Sequence, residues 1–363
     1  MKVLFLVPYP SEGASNRIRV EQFISYLEGK GVSCKVRPFV NSRFFRILYE
    51  PHRFLEKIFW FIAATLNRAL DIIRALSSDI VVIHREAYPF GGPFFESLLH
   101  KMGKPFVFDF DDAIFLANTS EHNIYIERFK KPEKVSRIIR MASWVIAGND
   151  YLKSYAERFN KRVTVIPSSI DTDRYAPAAG RDEPKDSIVI GWIGSNTTRV
   201  FLYELEETFR DLFRKYENVK LKVVGARFYS ERLKSVINEE WSLERELKAL
   251  RSFDIGIMPM PDNEWTRGKC GFKAILYMAC GIPVVASSVG VNAKIVEEGV
   301  TGFLVKDKAG WRNRLSLLIE DGQLRRRMGE KGRKRIVNSY SVGLTASIFY
   351  DTLNKIKGLK KKS

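Results

Sequence analysis

Short apolar runs rich in β-branched and aromatic residues alternate along the chain with longer stretches whose apolar positions recur every three or four residues. The first pattern fits strands buried on both faces and the second fits amphipathic helices. Their alternation is that of parallel sheets joined by crossover helices. In the first half, strands are expected at Val3–Val7, Ser33–Arg37, Ile80–Ile83, Phe106–Asp109, Trp144–Ala147 and Thr164–Ile166. Helices between them include Arg19–Lys30, stopped by Gly29-Lys30-Gly31, and Glu133–Met141. In the second half, strands are expected at Ile188–Ile193, Lys220–Val224, Ile255–Met258, Pro283–Ala286 and Phe303–Val305, with helices at Val200–Lys215 and Ala274–Cys280.

The fold class is therefore α/β, with two Rossmann-like doubly wound domains and a cleft expected between them. Residues 1–170 form the first domain, 171–186 a linker rich in proline, small and charged residues, and 187–340 the second domain. Residues 341–363 form a last helix that returns to the first domain, followed by a basic tail. Ligands of such sheets sit beyond the carboxyl ends of the strands, so the chemistry is sought in those loops.

Composition narrows the class. The chain has 363 residues, of which 45% are hydrophobic, enough to bury two cores and too apolar for disorder. Three cysteines, Cys34, Cys270 and Cys280, without a C-x-x-C pair, support neither a disulfide framework nor a zinc site. The opening Met1-Lys2-Val3-Leu4-Phe5-Leu6-Val7-Pro8 reads as a strand rather than a signal peptide, and the run Ile58–Leu66 is far short of a bilayer span. A cytoplasmic protein is expected. The net charge of +18 is spread over both domains without a recognised nucleic-acid motif, so nucleic acid is not an expected partner.

Four loops carry candidate chemistry. After Ile188–Ile193 comes Gly194-Ser195-Asn196-Thr197-Thr198-Arg199, where small residues and hydroxyls at a helix start suit an anion, although Ser, Thr and Asn are also ordinary helix caps. The loop is neither a Walker A motif nor a G-x-G-x-x-G fingerprint. Gly225 follows the next strand. The segment from Pro259 to Lys273 sets Glu264, Arg267, Gly268, Lys269 and Lys273 around a glycine-rich helix start; it suits a diphosphate, or is a solvated basic turn. Lys269 and Lys273 share a helix face if the helix has begun by then. In the first domain His84-Arg85-Glu86 and Asp109-Phe110-Asp111-Asp112 end strands. His84 suits a substrate hydrogen bond or simply caps its strand. The aspartates suit a cation, acceptor hydroxyls, or charge pairing with the loop Asn16-Arg17-Ile18-Arg19.

The segment GKCGFKAILYMACGIPVVAS, preceded by DIGIMPMPDNEW and followed by GVTGFLV, resembles the donor-sugar motif of glycosyltransferase family 4, whose members have the two-domain GT-B fold. VTVIPSSIDTDRYAP and DGQLRRRMGEKGRKRI extend the likeness over most of Ile188–Tyr340, and VPYPSEGASNRIRV and FDFDDAIFL carry it more loosely into the first half. The resemblance implies transfer of a sugar, with retention, from a UDP- or GDP-linked donor held by the second domain to a glycan or lipid-linked acceptor held by the first. No cofactor beyond the donor and no chelated metal is implied. Donor contacts are then expected from Gly194, Ser195, Asn196, Thr197, Arg199, Gly225, Glu264, Arg267, Gly268, Lys269 and Lys273, and acceptor contacts from Arg17, Arg19, Arg85, Glu86, Asp109, Asp111 and Asp112. Lys269, Lys273 and His84 are the expected catalytic groups. A pair of glutamates that touches the donor in many relatives falls here on Gly268 and Leu276, neither acidic, and Lys294 replaces a further glutamate.

The segment Arg43–Ile62 interleaves basic residues with large aromatics, and Leu55, Ile58, Phe59, Ile62 and Leu66 recur at helical spacing. It suits a helix lying on an anionic membrane surface, or an ordinary helix packed on the sheet with a basic edge. The expected function is a glycosyltransferase of cell-envelope glycan synthesis, peripheral to the inner membrane face. The alternative is a GT-B-like protein that binds nucleotide, glycan or membrane without turnover.

Overall fold

Every residue of Ile80–His84 and of Phe106–Phe110 is buried, as strands covered by helices on both faces require. In the computed structural model these runs are two of six parallel strands in the first of two units. The structure describes residues 1–48, 50, 52–116, 131–178 and 186–360. The first unit comprises Met1–Ser168, Gly268–Cys270 and Val342–Ser363; the second comprises Ser169–Arg267 and Gly271–Ser341.

In the first unit the strands are β1 (Lys2–Val7), β2 (Ser33–Pro38), β3 (Ile80–His84), β4 (Phe106–Phe110), β5 (Trp144–Ala147) and β6 (Val163–Val165), in the order β2-β1-β3-β4-β5-β6. The chain reverses its direction of travel across the sheet between β1 and β3. One face is covered by the helix Gln22–Gly29 and the last helix, Val342–Lys360, which share an apolar core through Phe23, Leu27, Phe349 and Leu353. Ahead of Gln22–Gly29 lies a π-helical turn, Arg17–Glu21, in place of the regular helix expected from Arg19 onward. Such turns re-aim side chains and recur at functional sites, and here the turn carries Arg19 inward.

In the second unit the strands are β7 (Ile188–Ile193), β8 (Val219–Val224), β9 (Val236–Glu239), β10 (Ile255–Met258), β11 (Val284–Ser287) and β12 (Gly302–Val305), ordered β12-β11-β10-β7-β8-β9. The switch point lies between β7 and β10. Strand β9 was not expected: it is a short edge strand with two exposed residues, so its sequence carries little hydrophobic signal. The expected helix Val200–Lys215 is two helices, Asn196–Tyr203 and Glu206–Lys215. The stretch expected as linker is in part a packed element of the second unit. Tyr175 donates to Glu246 (2.5 Å), and Arg333 donates to the carbonyls of Thr172 and Tyr175 (2.5 and 2.7 Å). Residues 179–185 of that linker and 361–363 of the basic tail lie outside the described residues.

Candidate functional site

In the first unit the carboxyl ends of β3 and β4 carry a buried charged network. Arg19 reaches Asp109 with Nη2 on Oδ1 (2.5 Å) and Nε on Oδ2 (3.4 Å), and its Nη1 donates to the carbonyl of Ile166 (2.7 Å). His84 Nδ1 lies 2.7 Å from Asp109 Oδ2. A carboxylate acceptor makes Nδ1 the donor, which leaves Nε2 buried without a hydrogen-bonding partner. Asp111 Oδ1, 3.9 Å from that nitrogen, accepts instead from Arg85 Nε at 2.9 Å. Arg85 takes a left-handed backbone conformation with φ +64, an uncommon one for a non-glycine residue, and so turns the chain sharply after the strand.

Burial pushes both aspartates up, but Arg19 and His84 outweigh it at Asp109, and Arg85 with His84 and Arg19 outweighs it at Asp111. Both carboxyls are held below the ordinary range. Asp109 is therefore paired with Arg19 of the loop that one of the three sequence readings set against the aspartates, whereas Asp111 pairs with Arg85, outside that loop. Arg17 donates to the carbonyls of Ser11 and Glu12 (2.7 and 3.1 Å), and Glu86 pairs with buried Lys134 (2.7 Å). Of the expected acceptor residues, these two face other partners and stand outside the network.

Gly268 and Lys269 were expected in the second domain; the structure places them, with Cys270, in the first unit. Lys269 Nζ is 2.9 Å from Asp112 Oδ2, and Cys270 Sγ donates to the Asp111 carbonyl (3.1 Å). Asn149, which caps the helix Asp150–Glu157 by accepting from Leu152 N, uses its Nδ2 to donate to the carbonyls of Gly268 (3.1 Å) and Lys269 (2.9 Å). Burial, foremost, pushes the Cys270 thiol well up, so it stays protonated and can donate. Asn149 carries no motif signal, and Cys270, although inside the GKCGFK run, was assigned no role. Only the cap at Asn149 is readable locally, from an Asn ahead of Asp150.

In the second unit the carboxyl ends of β7 and β8, on one side of the switch point, meet through Gly194 and Gly225. Gly194 N donates to the Val224 carbonyl (3.0 Å), and Gly225 has φ +84 with a hypothetical Cβ only 2.6 Å from the Gly194 carbonyl oxygen. Only glycine fits there. Ser195 occupies the N-cap of Asn196–Tyr203, but its side chain makes no capping hydrogen bond. Ser195, Asn196 and Thr197 are exposed at a helix start, where first-turn N–H groups have no intrahelical acceptor. Lys273 leans over this loop: its Nζ donates to Thr198 Oγ1 (3.1 Å) and sits 4.9 Å from the centroid of the Trp192 ring. The helix bearing Lys273 is Phe272–Ala279, capped by Gly271 in the left-handed region, so Lys269 precedes it and the two lysines do not share a helix face.

The remaining donor candidates divide. Arg199 Nη1 donates to the Arg227 carbonyl (2.7 Å), which bends it along the mouth of β8. Arg267 forms a two-pronged pair with Asp262 (2.7 and 3.1 Å), so its charge is locally matched. Glu264 is exposed at the start of the short helix Glu264–Arg267. Leu276 is 3% exposed within the apolar core.

These two six-stranded parallel sheets with their helices are the GT-B fold. Sucrose-phosphate synthase from Thermosynechococcus elongatus superposes with a TM-score of 0.70 at 17% identity, covering 99% of both chains. HepE from Anabaena, in a complex with UDP-glucose, gives 0.69 at 16% identity over 98% of this chain and all of that one. Residues 187–321, within the second unit, match the family model described as glycosyl transferases group 1. Over 166 residues the chain is 28% identical to the capsular polysaccharide biosynthesis glycosyltransferase CapM of Staphylococcus aureus, covering 43% of each protein. Over 96 residues it is 33% identical to an N-acetyl-alpha-D-glucosaminyl L-malate synthase of Bacillus anthracis, covering 25% of each. The chain thus matches less than half the length of these curated relatives.

Proposed function

We propose that the protein is a glycosyltransferase that moves a sugar from a UDP- or GDP-linked donor to a glycan or lipid-linked acceptor, with retention, in cell-envelope glycan synthesis at the cytoplasmic face of an anionic membrane. The observation that carries this reading is Lys273 over the glycine-built mouth of β7 and β8, beside the exposed start of Asn196–Tyr203. A cation and helix N–H groups at one sheet switch point match a diphosphate. As the glycosidic bond breaks through an oxocarbenium-like state, charge grows on the departing diphosphate, and a preorganised cation stabilises it with no metal required. The first unit's network supports acceptor binding. Asp112 with Lys269, both partly exposed, offers an acceptor and a donor side by side, while buried His84 holds Asp109 beneath them.

The non-catalytic alternative has one observation behind it. Leu276, on the position where many members of family 4 have a ribose-binding glutamate, is buried in the core. Calorimetry with a panel of nucleoside diphosphates and their sugars, followed by assay of diphosphate release with and without a glycan acceptor, separates the two. Diphosphate release supports the enzyme; tight binding with no release from any donor supports the alternative.

A further inference from the structure

The helix Phe54–Ala75, 22 residues long, is apolar on two opposite faces. One face is spent inside the first unit. Ala64, Asp71, Ile72 and Ala75 are buried, and buried Arg68 donates to the carbonyls of Val7 (3.0 Å) and Arg37 (3.2 Å), which fixes the roll of the helix on its sheet. The other face carries Leu55, Phe59, Ile62, Leu66, Leu70 and Ile73, all exposed, with Phe59 at 63% and Ile73 at 64%. At about 100° per residue these six fall within an arc of roughly 80°, and at about 1.5 Å per residue they run for some ~27 Å.

The ridge does not stand alone. Helix Phe94–Lys101 feeds β4, the neighbour of β3, buries Phe95, Glu96 and Leu99, and exposes Phe94 and Leu98. Lys104, just beyond it, donates to the carbonyls of Leu76 (3.1 Å) and Ser78 (2.7 Å), which holds the carboxyl ends of the two helices together. A water-facing helix normally presents charged and polar residues on its outer face, and an apolar ridge of this length marks an interaction site.

Charge selects the occupant. Of the carboxylates on the two helices, Asp71 and Glu96 are buried, and Glu56 is paired with Arg43 (3.6 Å) and Arg53 (3.3 Å). Arg46 and Lys101 are exposed, and Arg74, half exposed beside the ridge, is paired with Asp71 (2.8 Å). A second copy of this face would bring cation against cation, whereas an anionic lipid surface meets both the ridge and its rim. No helix among the described residues is long and apolar enough to cross a membrane, so the ridge suits lying in the interface plane.

We propose that this ridge, extended by Phe94 and Leu98, seats the first unit in the headgroup region of an anionic bilayer; the proposal rests on the membrane-facing part of the reading above. It moves the attachment from Arg43–Ile62 down the whole helix and makes it chiefly apolar, because Arg53 is also paired with Glu50 (2.8 Å) and Lys57 donates to the Glu50 carbonyl (2.6 Å). The test is flotation of the full chain with vesicles of phosphatidylcholine containing one-third phosphatidylglycerol, at low and high salt, beside diphosphate release measured without vesicles. Expected are vesicle binding that persists at high salt, a drop of at least tenfold in F59E/L66E, and a drop of less than threefold in R43Q/R53Q, with circular dichroism unchanged in all. Absence of wild-type binding, or F59E/L66E binding like wild type, overturns the ridge; so does a wild-type dimer in sedimentation that F59E/L66E abolishes. Diphosphate release without vesicle binding removes the ridge alone, while vesicle binding without release removes only the transferase reading.

Discussion

His84 and Asp109 sit on neighbouring strands, paired across the sheet register, with Nδ1 2.7 Å from Oδ2 and both side chains buried. Because Asp109 also holds Arg19, one carboxylate both fixes the imidazole tautomer and neutralises a guanidinium that is 1% exposed.

Replacing Asp109 by Asn keeps the shape and removes the charge. Breaking one side of a buried ion pair costs about 3–5 kcal/mol, because the partner charge is left without compensation. Asp109→Asn is expected to be destabilised by that order in urea unfolding, and Asp112→Asn, whose carboxylate is partly exposed beside Lys269, by under about 1 kcal/mol. Equal stability of the two variants would show that the Arg19 pair contributes nothing special.

The same aspartates set an acid limit. Their folded pKa values lie below the unfolded value near 3.9, so the unfolded chain takes up protons first as pH falls. The stability they contribute is fully present at neutral pH and is lost as pH drops from about 5 through the unfolded value towards the depressed folded values. Urea midpoints measured from neutral pH down to about pH 3 should fall steeply for wild type, and less steeply for Asp111→Asn, which has one fewer depressed carboxyl.

Much of this was readable in the chain. Eleven of the strands follow from apolar runs, because a strand buried on both faces writes its burial directly into composition; β9, half exposed at an edge, does not. Pairing of the aspartates with the Arg17–Arg19 loop was one of three readings open in sequence. Arg19 turns inward from a π-helical turn that no residue pattern announced. That the loops ending β7 and β10 leave the carboxyl ends of their strands was legible from strand polarity alone. The reach of Asn149 to carbonyls 119 and 120 residues away was not, since a capping asparagine looks the same whether its amide group faces water or a distant loop. Leu276 shows the reverse: the resemblance set it at a ribose contact, while its own apolar character already matched the core position it occupies.

An acid placed at that core position should therefore fail to bind there. Leu276→Glu puts a carboxylate at a 3% exposed position of an apolar cluster that includes Met258, Val284 and Ala286. Burial of such a group without partners costs several kcal/mol unless it takes up a proton. A fall in thermal midpoint of many degrees is expected at pH 8, smaller at pH 5, where the acid is more readily neutral. Normal stability with a gain in diphosphate release would place Leu276 at the ligand.

Lys273 offers the sharpest separation of binding from packing. Its Nζ donates to Thr198 and lies 4.9 Å from the centre of the Trp192 ring, and a Cβ on Gly194 would lie 2.7 Å from that ring and 2.8 Å from Lys273 Cε, so the glycine makes room for both. If Nζ contacts the diphosphate, Lys273→Met keeps most of the stem and loses only the charge. A hydrogen bond to a charged group is worth about 1.5–3 kcal/mol, which converts to a roughly ten- to hundredfold loss in affinity for the nucleoside diphosphate. Affinity for the corresponding nucleoside, which lacks the phosphates, should change by less than about twofold, and the thermal midpoint by only a few degrees. Calorimetry on wild type and Lys273→Met reads all three effects. Parallel losses for nucleoside and diphosphate would mean that Lys273 shapes the pocket through its stem, and that the charge at this switch point is not what holds the donor.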